Sequence, residues 1–189
     1  MTFAEDHPSV VQDAERVLSY AADLDYTTPH GARTAERFVD MLKELTTPTE
    51  FKFTTFPNEK ALDEMVIVRD IPFVSLCNHH VVPFYGYAHV GYVPDQLVAG
   101  LSKFARAVKY CAASLHVQEE LTVEIADFLE EQLNPKGLAV LMEAEHLCMT
   151  IRGVQVPGTK TRTASMRGVF GDHSRTAKAE FLSAINGKH

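Results

Sequence analysis

Ser75-Leu76-Cys77-Asn78-His79-His80, read together with Glu145-His146-Leu147-Cys148 much later in the chain, decides how this sequence is understood. Two of the three cysteines and three of the nine histidines fall in these two segments. Thiolates at Cys77 and Cys148 and an imidazole at His80 are three protein ligands of the kind zinc prefers, leaving one tetrahedral position for water. A structural site would normally close with a fourth protein ligand, so the set reads as a catalytic centre. Cys-x-x-His by itself is a weak signal, and histidines near strand ends often serve only structure. Cys148 strengthens it. A sheet that joins the two strand ends would gather Cys77, His80, Cys148, His79 and His146 in one place.

The flanking sequence supplies those strands. Met65 to Asp70 and Ile71 to Leu76 read as one strand, interrupted near Pro72, that delivers Cys77 at its end. Val81 to Val93 reads as its successor, with Tyr85, Tyr87, His89 and Gly91 alternating against Ala88, Val90 and Tyr92. The metal motif thus falls at a bend between strands. Neighbours in an extended segment point to opposite sides, so His79 need not be a ligand if His80 is. Downstream of the turn at Pro94-Asp95-Gln96, Leu97 to Leu115 carries Leu101, Phe104, Ala105, Val108 and Ala112 at helical spacing. A second helix is predicted from Val117 to Leu133, stopped by Asn134-Pro135-Lys136-Gly137. Leu138 to Ala144 is a buried-looking strand running into His146 and Cys148. Arg152 to Gly158 reads as a loop, Thr161 to Phe170 alternates again, and Ser174 to Ile185 reads as a closing helix.

Upstream, residues 8 to 24 read as an amphipathic helix starting at Pro8-Ser9. After a loop at Tyr26 to Gly31, Thr34 is placed to cap a second helix with Phe38, Met41, Leu42 and Leu45 on its apolar face. Phe51 to Phe56 alternates aromatic and polar residues as a half-exposed strand would. The resulting order predicts an α+β fold, an antiparallel sheet covered on one face by two helices. The division expected is a helical extension over residues 1–50 and a catalytic domain over residues 51–189.

Composition narrows the function. At 189 residues, 46% apolar and 23% charged, the chain matches an ordinary globular domain. It holds no apolar run near the roughly 20 residues of a membrane span, and Met1 to Asp6 is acidic, unlike a secretory leader. No membrane partner is expected, and the cytoplasm is the expected location. A net charge of −7 argues against broad nucleic-acid binding, though a local cationic cluster can still hold a small anion. Three cysteines cannot all pair, and Cys111 sits on the apolar stripe of its helix as a core residue.

Beyond the metal ligands, His79 and His146 are candidate proton-transfer groups suited to chemistry near neutrality, with support of the ligands as the alternative. Zinc bound beside them would supply hydroxide by lowering the pKa of its water. Ser102, Lys103 and Arg106 at a helix start, with Arg152 after Cys148, suit a phosphate group, or else form a solvated face. Gln118 and Glu119 can read a guanine edge, since a carboxylate accepts from both ring imino and exocyclic amino groups. Helix-terminal charge is the plainer account of that pair.

Taken together, these segments resemble GTP cyclohydrolase I, a zinc enzyme that converts GTP to 7,8-dihydroneopterin triphosphate and formate. The resemblance runs from about Asp63-Glu64-Met65-Val66 to Phe170, more weakly in the flanking helices. It rests on Ser75-Leu76-Cys77 with His79-His80, Gly100-Leu101-Ser102-Lys103 with Arg106, Val117-Gln118-Glu119 with Leu121-Thr122, His146 with Cys148, and Arg152-Gly153, in that order. It implies Cys77, His80 and Cys148 as zinc ligands and His79 and His146 as proton-transfer groups around the purine imidazole. It implies Ser102, Lys103, Arg106 and Arg152 at the triphosphate, and Gln118 and Glu119 at the guanine. The fold implied is the tunnelling fold, a four-stranded antiparallel sheet with two helices on one face. Its subunits join into a homo-oligomer, usually a decamer of two pentamers with shared active sites, so that open sheet edges are paired. The pathway served would be pterin, including tetrahydrofolate, or 7-deazaguanine biosynthesis.

Three positions depart from the family pattern. Asn78 replaces a glutamate between the metal cysteine and the histidine pair, Glu120 replaces an arginine, and Thr34-Ala35-Glu36-Arg37 stands where a Thr-Pro-x-Arg run is usual. None removes a ligand or a proton-transfer group. Two other readings fit such departures: a non-catalytic, zinc-stabilised nucleotide-binding paralogue, and a different enzyme of this fold acting on a pterin or another purine. Retention of His79 and His146 speaks against the first, and Lys103, Arg106 and Arg152 together favour a triphosphate over the second.

Overall fold

The structure, a computed structural model, describes residues 7–171 and 175–186. Two compact units divide at residues 47 and 48. The first unit is a helix pair, α1 (Pro8–Ala22) and α2 (Thr34–Leu45). Its small core joins Ala14, Ala35 and Val39, with Val11, Leu18, Tyr26 and Phe38 packed around them. Thr34 is the first residue of α2 and does not cap it; its hydroxyl turns back to the His30 carbonyl at 3.3 Å, and Arg33 at the cap position pairs with Glu36 at 2.7 Å instead of capping the helix. Met1 to Asp6, the acidic start of the expected extension, lie outside the described residues.

The second unit is built on a five-stranded sheet. In chain order its elements are β1 (Thr55–Pro57), β2 (Val66–Cys77), β3 (Pro83–Val93), β4 (Leu97–Ala99), α3 (Ser102–Ala112), β5 (Leu115–His116), α4 (Gln118–Leu133), β6 (Gly137–His146), α5 (Leu147–Thr150), β7 (Lys160–Gly168) and α6 (Arg175–Asn186). The sheet runs β5-β2-β3-β6-β7, antiparallel across its four long strands, with the two-residue β5 added in parallel beside the end of β2. This is the α+β arrangement expected, with one short strand more.

Both helices α3 and α4 lie on one face. Phe104, Ala107, Val108 and Cys111 from α3 and Leu121, Ile125, Ala126 and Leu129 from α4 join Phe73, Phe84, Ala88, Val90, Val140 and Met142 of the sheet in one buried cluster. Alternate residues of each strand feed that face, which is why the period-two pattern was readable. The opposite face is covered at one end by α6, whose Phe181 packs with Ala139, Leu141 and Phe170. Gly91 makes room for it: a β-carbon there would stand 2.7 Å from the Phe181 ring. Ser174, expected to open this helix, lies outside the described residues.

Three local expectations change. The strand before Cys77 is continuous through Pro72, and its irregularity is a bulge between Val68 and Ile71, where Asp70 takes a positive φ of 57°. Pro72 is tolerated because β5 pairs only with Leu76 and Cys77, leaving the outer side of β2 unpaired at the proline. Phe51 and Phe53 do not form a strand. They fold onto Phe104, Tyr110 and Phe128 with ring centroids 5.8 to 6.4 Å apart, and only Thr55 to Pro57 pairs, with β4. The helix expected from Leu97 begins at Ser102, because Leu97 to Ala99 is taken up as that partner strand.

Candidate active site

The end of β2 and the turn after it carry the first half of the site. Cys77 is the last residue of β2, and residues 78–80 form a turn closed by hydrogen bonds from the Val81 and His80 amides to the Cys77 carbonyl, at 2.8 and 3.3 Å. The Cys77 amide in turn donates to the Val82 carbonyl at 2.9 Å. His79 and His80 therefore sit in a tight turn and not in an extended segment, with ring centroids 6.3 Å apart. The second half comes from β6, which ends at His146, and from α5, a single helical turn that carries Cys148. The register of β3 against β6 brings these halves together: Phe84, just past the turn, stands opposite His146.

Cys77, His80 and Cys148 each present a ligand atom, and these atoms all lie within 4.8 Å of one another. Two sulfurs and a nitrogen bound tetrahedrally to zinc would stand about 3.8 Å apart or less, so the set fits that ion in number, chemistry and spacing. Burial pushes the Cys148 thiol above its ordinary pKa, and a hydrogen bond with Cys77 pushes it the same way. Arg152, from the loop after α5, donates to His80 Nε2 at 2.8 Å.

Beside this cluster stands His146, stacked flat on Phe84 with centroids 4.7 Å apart and an interplanar angle of 3°. Its Nε2 lies 2.7 Å from Gln118 Oε1. The Gln118 amide nitrogen is committed elsewhere, donating to the Thr161 carbonyl at 3.1 Å and to Thr163 Oγ1 at 3.0 Å. Because a carbonyl can only accept, these bonds fix which way the amide points, and Oε1 must face the imidazole. His146 consequently carries its proton on Nε2 and presents the Nδ1 lone pair. Burial holds His146 below the ordinary histidine value, and the Glu119 carboxylate pulls the other way, which places Glu119 within electrostatic reach of the ring.

Other expected site residues are placed less centrally. Gln118 is 1% exposed, so its side chain braces His146 and β7 from inside, while Glu119 next to it is exposed. Ser102, Lys103 and Arg106 occupy the first turns of α3; Ser102 and Arg106 are exposed, and neither cation makes an ion pair among the described residues. Two contributors escaped the sequence reading: Phe84, which stacks on His146, and Thr163, which orients Gln118. The alternation from Thr161 onward set Thr161 and Thr163 on one side of a strand, but nothing in it named the partner.

Cys111 stands apart from the cluster, buried at 3% exposure in α3. Burial pushes its thiol up to about 12, against an ordinary value of 9.0. At pH 8 its thiolate fraction is then about a thousandfold below that of a free thiol, since the thiolate is the nucleophile. Native protein treated with iodoacetamide should remain unmodified at Cys111, and become modified there once denatured, as peptide mass spectrometry would report.

Residues 11–186 match the family model described as GTP cyclohydrolase I. Relatives named GTP cyclohydrolase 1 include that of Aquifex aeolicus, 47% identical over 154 residues covering 82% of this chain and 83% of that protein. The protein of that name from Gloeobacter violaceus is 45% identical over 182 residues, covering 94% of this chain and 85% of the relative. The one from Deinococcus radiodurans is 56% identical over 124 residues, 66% of this chain and 57% of the relative. Among solved structures, the apo form of the archaeosine synthase QueF-Like matches with a TM-score of 0.47 at 17% identity, over 55% of this chain and 93% of that one.

Proposed function

The chain belongs to the GTP cyclohydrolase I family, and we propose that it is a zinc-dependent enzyme of that kind, hydrolysing GTP at C8 and rearranging it to 7,8-dihydroneopterin triphosphate and formate. The observation that carries the proposal is the gathering of Cys77, His80 and Cys148 beside a histidine whose tautomer is fixed by Gln118. Cys77, His80 and Cys148 would hold the ion, which when bound supplies an activated water for addition at C8.

The remaining roles belong to the chain's own side chains. His146, with Nε2–H tied to Gln118, offers Nδ1 to take a proton, and Phe84 keeps its ring plane from rotating. His79, exposed on the turn beside His80, is the second proton carrier and has the freedom to serve both ring opening and the later sugar rearrangement. Glu119 accepts from the guanine imino and amino groups, and Gln118 completes that end of the pocket by holding α4 against β6 and β7. Ser102, Lys103, Arg106 and Arg152 supply the donors and positive charge for the triphosphate.

The assembly proposed is a homo-oligomer, a decamer of two pentamers in which neighbours share active sites. β7 supports this, since it is the outer strand of the sheet along its nine residues and leaves one row of backbone groups open to pairing. No helix among the described residues is long and apolar enough to cross a membrane.

The test is to incubate zinc-loaded protein with GTP and follow formate together with the absorbance of the oxidised pterin. Both signals should appear in equal amounts. Formate without pterin would mean that the ring opens and does not reclose, a changed reaction. Bound GTP with neither signal would replace the enzyme by a nucleotide binder.

A further inference from the structure

Behind the metal turn, on the side away from His146, lies a second chain of polar groups. Ser75 and His116 are both buried, at 1% and 8% exposure, and Ser75 Oγ lies 3.1 Å from His116 Nδ1. His116 Nε2 lies 3.1 Å from Glu124 Oε2, whose side chain is half exposed on α4. Nε2–H donates to the carboxylate, and the Ser75 hydroxyl donates to the Ser114 carbonyl at 3.2 Å while its Oγ meets Nδ1. The order serine, imidazole, carboxylate is that of a nucleophilic triad, but Ser75 is sealed in the core where no substrate can reach it.

What the chain of bonds does touch is the strand end that carries Cys77. Ser75 and Cys77 are two residues apart on β2 and so face the same side. His116 is the parallel partner of Cys77, and its carbonyl receives the Asn78 amide at 3.0 Å. β5 contributes only two residues, so its backbone ladder is a short anchor for a turn that must hold a ligand in place. The His116 side chain extends that anchor in both directions, inward to Ser75 and outward to the first turns of α4. The same helix begins with Gln118, which grips His146, two residues before Cys148. One helical segment thus ties down both arms of the ligand set.

We propose that Glu124 and His116 are positioning residues for Cys77, setting the orientation of its strand end and thereby the metal affinity of the Cys77, His80, Cys148 site. The proposal rests on the metal reading above. Partners that orient ligands at one remove are worth about 10 to 100-fold in metal affinity, and this pair acts at one remove further, so about tenfold is expected.

The experiment compares the full chain with Glu124→Ala and Glu124→Gln, using chelator competition for zinc and the absorption of the cobalt-substituted protein. Glutamine keeps an acceptor for His116 Nε2–H, and Glu124 is exposed enough that either variant folds. Glu124→Ala should bind zinc about tenfold more weakly and show shifted thiolate-to-cobalt charge-transfer bands, while Glu124→Gln stays within about twofold of the parent in zinc affinity. Unchanged zinc affinity and an unchanged cobalt spectrum in Glu124→Ala, with or without a lower melting temperature, would overturn the positioning role. Equal weakening in both variants would overturn it too, since charge and not the hydrogen bond would then be at work. Failure of the unmodified chain to bind either ion would overturn the metal reading itself, a distinguishable result.

Discussion

Cys148→Ala should lose zinc binding and formate release together. Two protein ligands remain, and a site with two ligands cannot hold zinc against a mild chelator in the way three convergent ones do. Without the ion, water must be deprotonated from a pKa near 15.7 instead of about 7, so turnover falls by at least about a thousandfold. The substitution spares the fold, because Cys148 sits on a single helical turn at the margin of the core cluster. Metal content by mass spectrometry, formate release and a thermal melt measured on one preparation check this. Zinc retained at full stoichiometry would remove Cys148 from the ligand set and with it the metal centre as described.

His146→Ala separates the metal from the proton transfer. The variant should keep its zinc, since the three proposed ligands are untouched, and its turnover should drop by about 10²- to 10⁴-fold, the usual contribution of a positioned acid or base. Removing the imidazole also leaves Gln118 Oε1 facing a gap and Phe84 without its stacked partner. A buried acceptor left unsatisfied costs about 1 to 3 kcal/mol, so the melting temperature should fall as well. Rates are therefore compared below the melt of the variant. Full turnover with bound zinc would show that His146 supports the site without moving a proton.

The legible part of this molecule was the part written in periodicity and in rare residue types. Alternation along β3 and β7, the continuous apolar run of β6 and the apolar stripes of α3 and α4 marked the sheet and its covering layer, because burial imposes those patterns. Thiols and imidazoles are few, so Cys77, His80 and Cys148 stood out before any geometry was known. Where a short apolar run could serve two structures, the reading failed: Leu97-Val98-Ala99 continues the helical pattern of α3, yet pairs with Thr55 to Pro57. Phe51 and Phe53 alternate as a strand would, but the three neighbouring rings of Phe104, Tyr110 and Phe128 offered more burial than a sheet edge. Gln118 was named at the guanine, but its hold on His146 was illegible for another reason. Its partners Thr161 and Thr163 lie far along the chain, and a glutamine at a helix start looks the same whether it faces solvent or is held from below.

The distance in sequence between the two sulfurs also sets a clock. Cys77 and His80 leave the ribosome before β6, the strand that must pair with β3 to bring Cys148 alongside, has been made. At about 5 to 20 residues per second, that interval lasts about 4 to 14 seconds. Throughout it the nascent chain offers a thiol and an imidazole without their third companion, a half-site that soft ions such as copper(I) would also accept. Selection of the correct ion then belongs to the closing of the sheet, and to the supply of metal in the cell at that moment.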